Sequence, residues 1–414
     1  MQSTEKTVLI IAGDCPPKAM TSSKRPALLA KYIAKYGWKP VVLSGLWTPE
    51  NCSYDPNYVP GFPGKIPVFR VPVVDPVSGT LGNIRSLLRR SLLPHRIPVI
   101  YLEEGKKALI DIFNQYSIDI IWATAPPASV HVLAEWAARK WEKPWVADFR
   151  DIINQQYISI ITSIVVPVRL FYERRYLHTA DGITTVSQGL ADIFTKRYRR
   201  GVEVLSHGFD PRDINPDNQK VLQNFTIVFT GSVQHGPGPN FRPLLDAVEK
   251  LIREGVMNPE EISIEFYGDG NEDRLQCNFN GHSCFYLVNI FPGVSWSDCR
   301  RIQRSAAVLL QNTVPGKKGL ISSKIYEYLA AQRPILATPA DGDCIDELLR
   351  ETGTGFSCTT VEEIAGQILS WYREWQETGT TSTNINQEAV MKYSREKQAR
   401  ALARILDRII EGGE

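Results

Sequence analysis

The sequence predicts an α/β protein built from two open, parallel-sheet domains, and three observations carry that expectation. Short apolar runs alternate with longer amphipathic stretches, the pattern of buried strands joined by crossover helices. The alternation occurs twice, on either side of a polar segment from Asp210 to Gln223 that holds two prolines and no hydrophobic period. The length of 414 residues, at roughly 100 to 200 residues per domain, calls for two domains or three.

In the first series Thr7 to Ala12 reads as a strand, Ser23 to Tyr36 as an amphipathic helix and Pro40 to Leu43 as a second strand, a β-α-β opening. Ala108 to Tyr116 follows as helix, Ile118 to Ala123 as strand, Ser129 to Trp141 as helix, then Trp145 to Asp148 and Gly182 to Val186 as strands. In the second series Thr226 to Thr230, Ile262 to Tyr267, Tyr286 to Phe291, Ala307 to Leu310 and Ile335 to Thr338 are strands. Their helices are Arg242 to Glu254, Ser297 to Ser305 and Lys324 to Ala331. Thr360 to Trp375 and the charged, amphipathic Gln387 to Glu411 are expected as closing helices. Runs this apolar on both faces imply a parallel sheet covered on each side, and no fixed-period repeat supports a solenoid or propeller.

Composition narrows the function. Hydrophobic residues make up 43% and charged residues 22%, the balance of a folded globular chain. Lys plus Arg number 47 against 45 Asp plus Glu, so the broad basic footprint of a nucleic-acid binder is missing and no nucleic-acid partner is expected. The seven cysteines are scattered, with no CxxC pair and no metal-ligand spacing, and read as reduced thiols. The opening MQSTEKTVLIIAG turns too soon for a signal-peptide core, which predicts a cytoplasmic protein.

Open parallel sheets take ligands beyond the carboxyl ends of their strands, so the loops there are the places to look. GDCPPKAMTSSKR, after the first strand, lacks GxGxxG and is no dinucleotide fingerprint. ADFRDI sets Asp148, Arg150 and Asp151 directly after a strand, where charges are costly unless paired or used. FTGSVQHGPGP brings Gly231, Ser232 and His235 to a glycine-rich exit from the first strand of the second domain. The strongest signal is ISSKIYEYLAAQRPILAT. Ser322 and Ser323 are placed to cap a helix starting at Lys324, whose positive charge opposes the helix dipole unless an anion is bound. Glu327, one turn on, is placed to take ribose hydroxyls. His131 opens a helix after TAPPAS as a candidate sugar or acceptor contact, against its reading as a satisfied helix residue.

DFRD, TADGITTVSQGLADIF, HGFD, FTGS, FYGDG and SKIYEYLAAQRPILA, in this order along most of the chain, resemble bacterial retaining glycosyltransferases of family four, the subgroup with DFRD and SKIYEYLAA motifs. The resemblance implies the GT-B fold, two Rossmann-like domains facing across a cleft. Residues 1–213 would bind the acceptor, 214–385 the nucleotide sugar, and 386–414 would form a helix packing back toward the first domain. It implies donor binding by Gly231, Ser232, Gly268, Val294, Ser322, Ser323, Lys324 and Glu327. By their own placement His235 and Arg242 are further candidates for the donor phosphates, and Asp148, Arg150, Asp151 and His131 for the reaction centre. Two departures stand out. Gly319 occupies the position eight before Glu327 where the family carries a first Glu, and Arg150 precedes Asp151 where many members have His.

The implied activity is transfer of a sugar from a nucleoside-diphosphate sugar, UDP-linked by family frequency, to a sugar, lipid-linked or other hydroxyl acceptor, with retention, in cell-surface polysaccharide or glycolipid synthesis. No metal and no cofactor beyond the donor substrate is called for. Nucleotide-sugar 2-epimerases, sugar-phosphate synthases and a catalytically silent sugar-nucleotide-binding partner remain open. Asn83 to Tyr101 and Tyr157 to Tyr172 mix apolar residues with arginine in the manner of interfacial segments, which adds a peripheral contact at the inner face of the membrane to the expected partners.

Overall fold

The computed structural model describes residues 5–73, 102–152, 170–171, 173–215, 222–231, 233, 240–268, 270 and 272–412. The chain divides into two compact units, Met1–His207 with Arg395–Glu414, and Gly208–Ser394. Of the two interfacial segments, only Leu170 and Phe171 fall among the described residues. No helix among the described residues is long and apolar enough to cross a membrane.

The first unit is a seven-stranded parallel sheet of β1 (Lys6–Ala12), β2 (Trp38–Gly45), β3 (Val68–Val71), β4 (Ile120–Ala125), β5 (Trp145–Phe149), β6 (Gly182–Thr185) and β7 (Glu203–Val204). The strand order is β3-β2-β1-β4-β5-β6-β7. Val8 to Ile11 and Ile120 to Ala123 are fully buried, as expected of central parallel strands covered by helices on both faces. Helices Thr21–Ile33, Leu102–Gln115, Ser129–Trp141 and Gln188–Tyr198 supply the crossovers.

The last helix, Arg395–Ile410, belongs to this same unit. Lys6 Nζ meets Asp407 at 2.6 Å, and Trp38 Nε1 donates to the same carboxylate at 3.1 Å. Gly182 starts β6 without a side chain because a Cβ there would come within 2.6 Å of Ile409 Cδ1. The single helix expected from Gln387 to Glu411 is two, Gln387–Lys392 and Arg395–Ile410. Between them the chain leaves helical geometry because Ser394 is buried and bridges to Phe209, whose N–H donates to Tyr393 O at 3.3 Å.

The second unit is a six-stranded parallel sheet of β8 (Phe225–Thr230), β9 (Ile262–Tyr267), β10 (Val288–Phe291), β11 (Val308–Asn312), β12 (Ile335–Thr338) and β13 (Gly355–Ser357), ordered β10-β9-β8-β11-β12-β13. Phe229, Phe241, Phe266 and Phe279 interlock in its core, with ring centroids 5.1 to 5.9 Å apart between neighbours. In both units the order reverses beside the first strand. At β8 the chain has wound outward through β9 on one side and β11 on the other. Such a reversal opens a crevice at the carboxyl ends of the strands.

Candidate functional site

In the second unit that crevice brings Gly231 and Lys324 together. Gly231 leaves β8 with φ 117°, a conformation that favours glycine, and its N–H donates to Tyr267 O at 2.7 Å. A Cβ added there would lie 3.8 Å from both Cδ and Nζ of Lys324, so bare backbone faces the lysine. Lys324 opens the helix Lys324–Ala331, and its Nζ lies 3.4 Å from the centroid of the Phe229 ring. Burial pulls this ammonium from 10.5 down to about 7, against the opposing charge of Glu327 one turn on. The end of β8 is itself held: Thr230 N–H donates to Tyr328 Oη at 3.0 Å, and Gln303 Nε2 donates to Thr230 Oγ1 at 2.9 Å.

Of the two serines expected to cap this helix, Ser322 Oγ accepts the N–H of Lys324 at 3.2 Å, whereas Ser323 occupies the N-cap without a side-chain bond. Ser322, Ser323, Lys324, Glu327 and Gly231 are thus gathered at one strand end. Gly268 lies beside them through its chain neighbour Tyr267, donating its N–H to Phe291 O at 3.1 Å. Tyr267 and Phe291 stack with centroids 4.6 Å apart, and Val294 is exposed in the loop beyond β10. Arg242, exposed at the start of the helix Arg242–Arg253, donates through Nη1 to Asn278 O at 3.5 Å, and no bond ties it to Lys324. Ser232 and His235 lie outside the described residues. At Gly319 the backbone is left-handed, φ 76°, and its N–H donates to the Asp343 carboxylate. The sequence gives no role at the site to Phe229 or Asp343, and Tyr328 reads there only as a sign that the helix lies close to a core. Of these only Tyr328, four residues after Lys324 and so on its helix face, left a readable signal.

In the first unit the structure corrects three expectations: Asp148, Arg150 and His131 are all buried. Asp148 is wholly buried, and both of its oxygens are fully engaged. One accepts from Arg25 Nη2 at 2.8 Å and Thr184 Oγ1 at 2.7 Å; the other accepts from Arg25 Nε at 3.1 Å and Thr124 Oγ1 at 2.6 Å. A carboxylate with every acceptor position filled and no surface cannot touch a substrate. Asp148 is a lock between β4, β5, β6 and the first helix. Arg150 is buried too, and it donates to the carbonyls of Ala125 at 3.1 Å, Pro126 at 2.6 Å and Ser22 at 3.3 Å. It holds the end of β4 against the first helix, so its fork positions backbone and is not offered to an acceptor. Asp151 alone of the three is exposed.

His131 is likewise a core residue, not an acceptor contact. It is 1% exposed, its Nε2 lies 3.1 Å from Ala123 O and 3.2 Å from Asp148 O, and its ring packs 4.6 Å from that of Phe149. Burial lowers its pKa to about 4. Because the folded value lies below the unfolded one, the unfolded chain takes up the extra proton, so stability present above about pH 6.5 is lost as pH falls toward 4. The loss amounts to roughly 3 kcal/mol. His131→Phe is expected to flatten this part of the profile in urea midpoints measured at pH 7 and 4.5; an unchanged acid sensitivity would contradict the assignment.

Among the described residues Asp246, Glu249 and His282 bring three potential metal ligands within 4.8 Å of one another. The hydrogen bonds speak against a cation. His282 Nδ1 accepts the Cys284 N–H at 3.1 Å, which leaves the ring proton on Nε2, donated to Asp246 at 3.0 Å. A metal on Nε2 would require the other tautomer and the loss of that cap.

Two family models match the chain: "Glycosyl transferase 4-like domain" over residues 22–207 and "Glycosyl transferases group 1" over 224–374. No curated protein matches. Among solved structures, HepE of Anabaena in complex with UDP-glucose superimposes with a TM-score of 0.63 at 17% identity, covering 97% of this chain and 99% of that one. Sucrose-phosphate synthase of Thermosynechococcus elongatus gives 0.63 at 14%, covering 99% and 100%. A putative UDP-N-acetylglucosamine 2-epimerase of Listeria monocytogenes gives 0.59 at 11%, covering 99% and 98%. These likenesses share the α/β two-domain GT-B fold. With a glycosyltransferase family model matching each half, the protein belongs to the group 1 glycosyltransferases.

Proposed function

We propose that the protein transfers a sugar from a UDP-linked donor to a hydroxyl acceptor with retention of configuration, in the synthesis of a cell-surface polysaccharide or glycolipid. The observation that carries this reading is Lys324 set against Gly231 at the switch point of the second sheet. A lysine held over an aromatic ring, facing bare backbone at a helix start, suits a diphosphate. The choice of UDP is supported by HepE, of like fold, whose solved complex contains UDP-glucose.

As the bond from the sugar to the diphosphate breaks, charge builds on the leaving phosphate. Lys324 and the N–H groups of the first helical turn would stabilise it. Glu327 would accept from the ribose hydroxyls, and the Tyr267 and Phe291 loops would border the base. On the acceptor side Asp151 remains the DFRD member with solvent access. Arg150 and Asp148 would serve it only by fixing the loop that carries it.

Glu327→Gln is expected to weaken UDP binding by about 1 to 3 kcal/mol, the value of a hydrogen bond to a charged group, while pyrophosphate, which has no ribose, binds as to the wild type. Equal losses for both ligands, measured by calorimetry, would remove Glu327 from the ribose. Release of UDP only when acceptor is supplied distinguishes a transferase from an epimerase, which converts donor alone, and from a silent partner, which binds donor without turnover.

A further inference from the structure

We propose that the second unit carries a separate groove for a neutral oligosaccharide at the outer edge of its sheet. The groove encloses about 870 Å³ between β13, the helices Cys344–Thr352 and Val361–Thr378, and residues 382–384. In the order β8-β11-β12-β13, strand spacing alone sets β13 roughly 14 Å from β8, so the groove is distinct from the crevice at Gly231.

Its chemistry is that of a sugar site. The Phe356 ring is 50% exposed, and it leans on Trp371, 3% exposed, with centroids 6.0 Å apart. A buried indole thus fixes an accessible aromatic face. Around it stand Asp346, Arg350, Gln367, Glu374 and Asn384, which line the same space. Glu374 already accepts from the N–H and hydroxyl of Ser382, and Asp346 from the N–H groups of Asp341 and Gly342, so the two amides and Arg350 are the groups left to meet a ligand. A pyranose offers one face of C–H groups and a rim of hydroxyls that both donate and accept. One exposed ring bordered by amides and a guanidinium complements both features.

Other occupants fit less well. Two carboxylates against one guanidinium disfavour a phosphate or nucleotide. A docked helix would need several apolar pockets in succession, and the groove exposes a single ring. Strand addition would have only the three residues of β13 to pair with. The volume lies within the usual range for ligand sites, about 300 to 1,000 Å³, and leaves room for more than one sugar unit. The groove stands on its own geometry. Its use, holding the saccharide that is being extended while transfer takes place elsewhere, rests on the glycosyltransferase reading above.

The test uses the full chain with maltotetraose, cellotetraose and chitotetraose as probes, read by saturation-transfer NMR and calorimetry. Wild type and Lys324→Ala are expected to bind at least one of the three with a Kd below about 10 mM. Phe356→Ala, which folds because the ring is half exposed, and Asn384→Ala should each weaken that binding by about tenfold while leaving UDP affinity unchanged. The proposal is overturned if none of the three binds the wild type in that range, or if Phe356→Ala binds as the wild type does. It is equally overturned if an extended peptide is captured in place of every sugar and lost in Phe356→Ala. Failure of the donor reading would show separately, as unchanged UDP affinity in Lys324→Ala.

Discussion

Asp148→Ala is expected to destabilise the first unit by about 3 to 5 kcal/mol, the cost of leaving a buried charge without its partner. Arg25 is 1% exposed, and once the carboxylate is removed its guanidinium keeps only the carbonyls of Leu205 and Ser206, at 2.8 and 2.9 Å. Thr124 and Thr184 would lose their acceptor in the same step. Against a typical total of about 5 to 15 kcal/mol, the variant should be marginally folded. Adding Arg25→Met should restore part of the loss, since an apolar side chain does not need the carboxylate. Urea unfolding of the two single variants and the double variant reads the coupling directly. A single variant within about 1 kcal/mol of wild type, or a double variant no better than the single, would show that the pair is not the lock described.

Lys324→Ala is expected to reduce UDP affinity by about 10- to 100-fold, the equivalent of one hydrogen bond between charged groups. The dependence on pH is more specific. The ammonium of the unliganded protein loses its proton near pH 7, and a diphosphate beside it would raise that value. Binding therefore takes up a proton above pH 7. Affinity should be flat just below pH 7 and then fall by about tenfold per pH unit above it, until the pKa of the complex is reached. In Lys324→Ala the slope should vanish. A wild-type affinity that stays constant from pH 7 to 9 would contradict the placement of the phosphate at this lysine.

The fold class was legible because central parallel strands are continuous apolar runs, and runs such as Val8 to Ala12 or Ile120 to Ala123 have no polar face to confuse the period. The pieces that escaped notice lie at edges. β3 and β13 have four and three residues and are partly exposed, and the helix Glu272–Phe279 is mostly polar. At the site, the conflict of a lysine with a helix start was visible in ISSKIYEYLAA, and the helix does begin at Lys324. What it rests on was hidden, because Phe229 looks like any other core residue of its strand. The interior roles of Asp148 and Arg150 were not legible, for a reason of distance along the chain. The partner of Asp148 is Arg25, 123 residues away, while Arg150, two residues on, binds carbonyls. His131 misled in a similar way: an imidazole after a loop resembles a ligand contact, and only the surrounding rings of Trp145, Phe149 and Tyr176 reveal it as core.

A crystal structure of the protein with UDP bound tests the central claim most directly. The account predicts the β-phosphate within hydrogen-bonding distance of Lys324 Nζ and of the first amides of its helix, the ammonium drawn away from the Phe229 ring, and the ribose hydroxyls on Glu327. UDP found elsewhere, or bound while Lys324 stays over Phe229 and Glu327 makes no contact with the ribose, would contradict it.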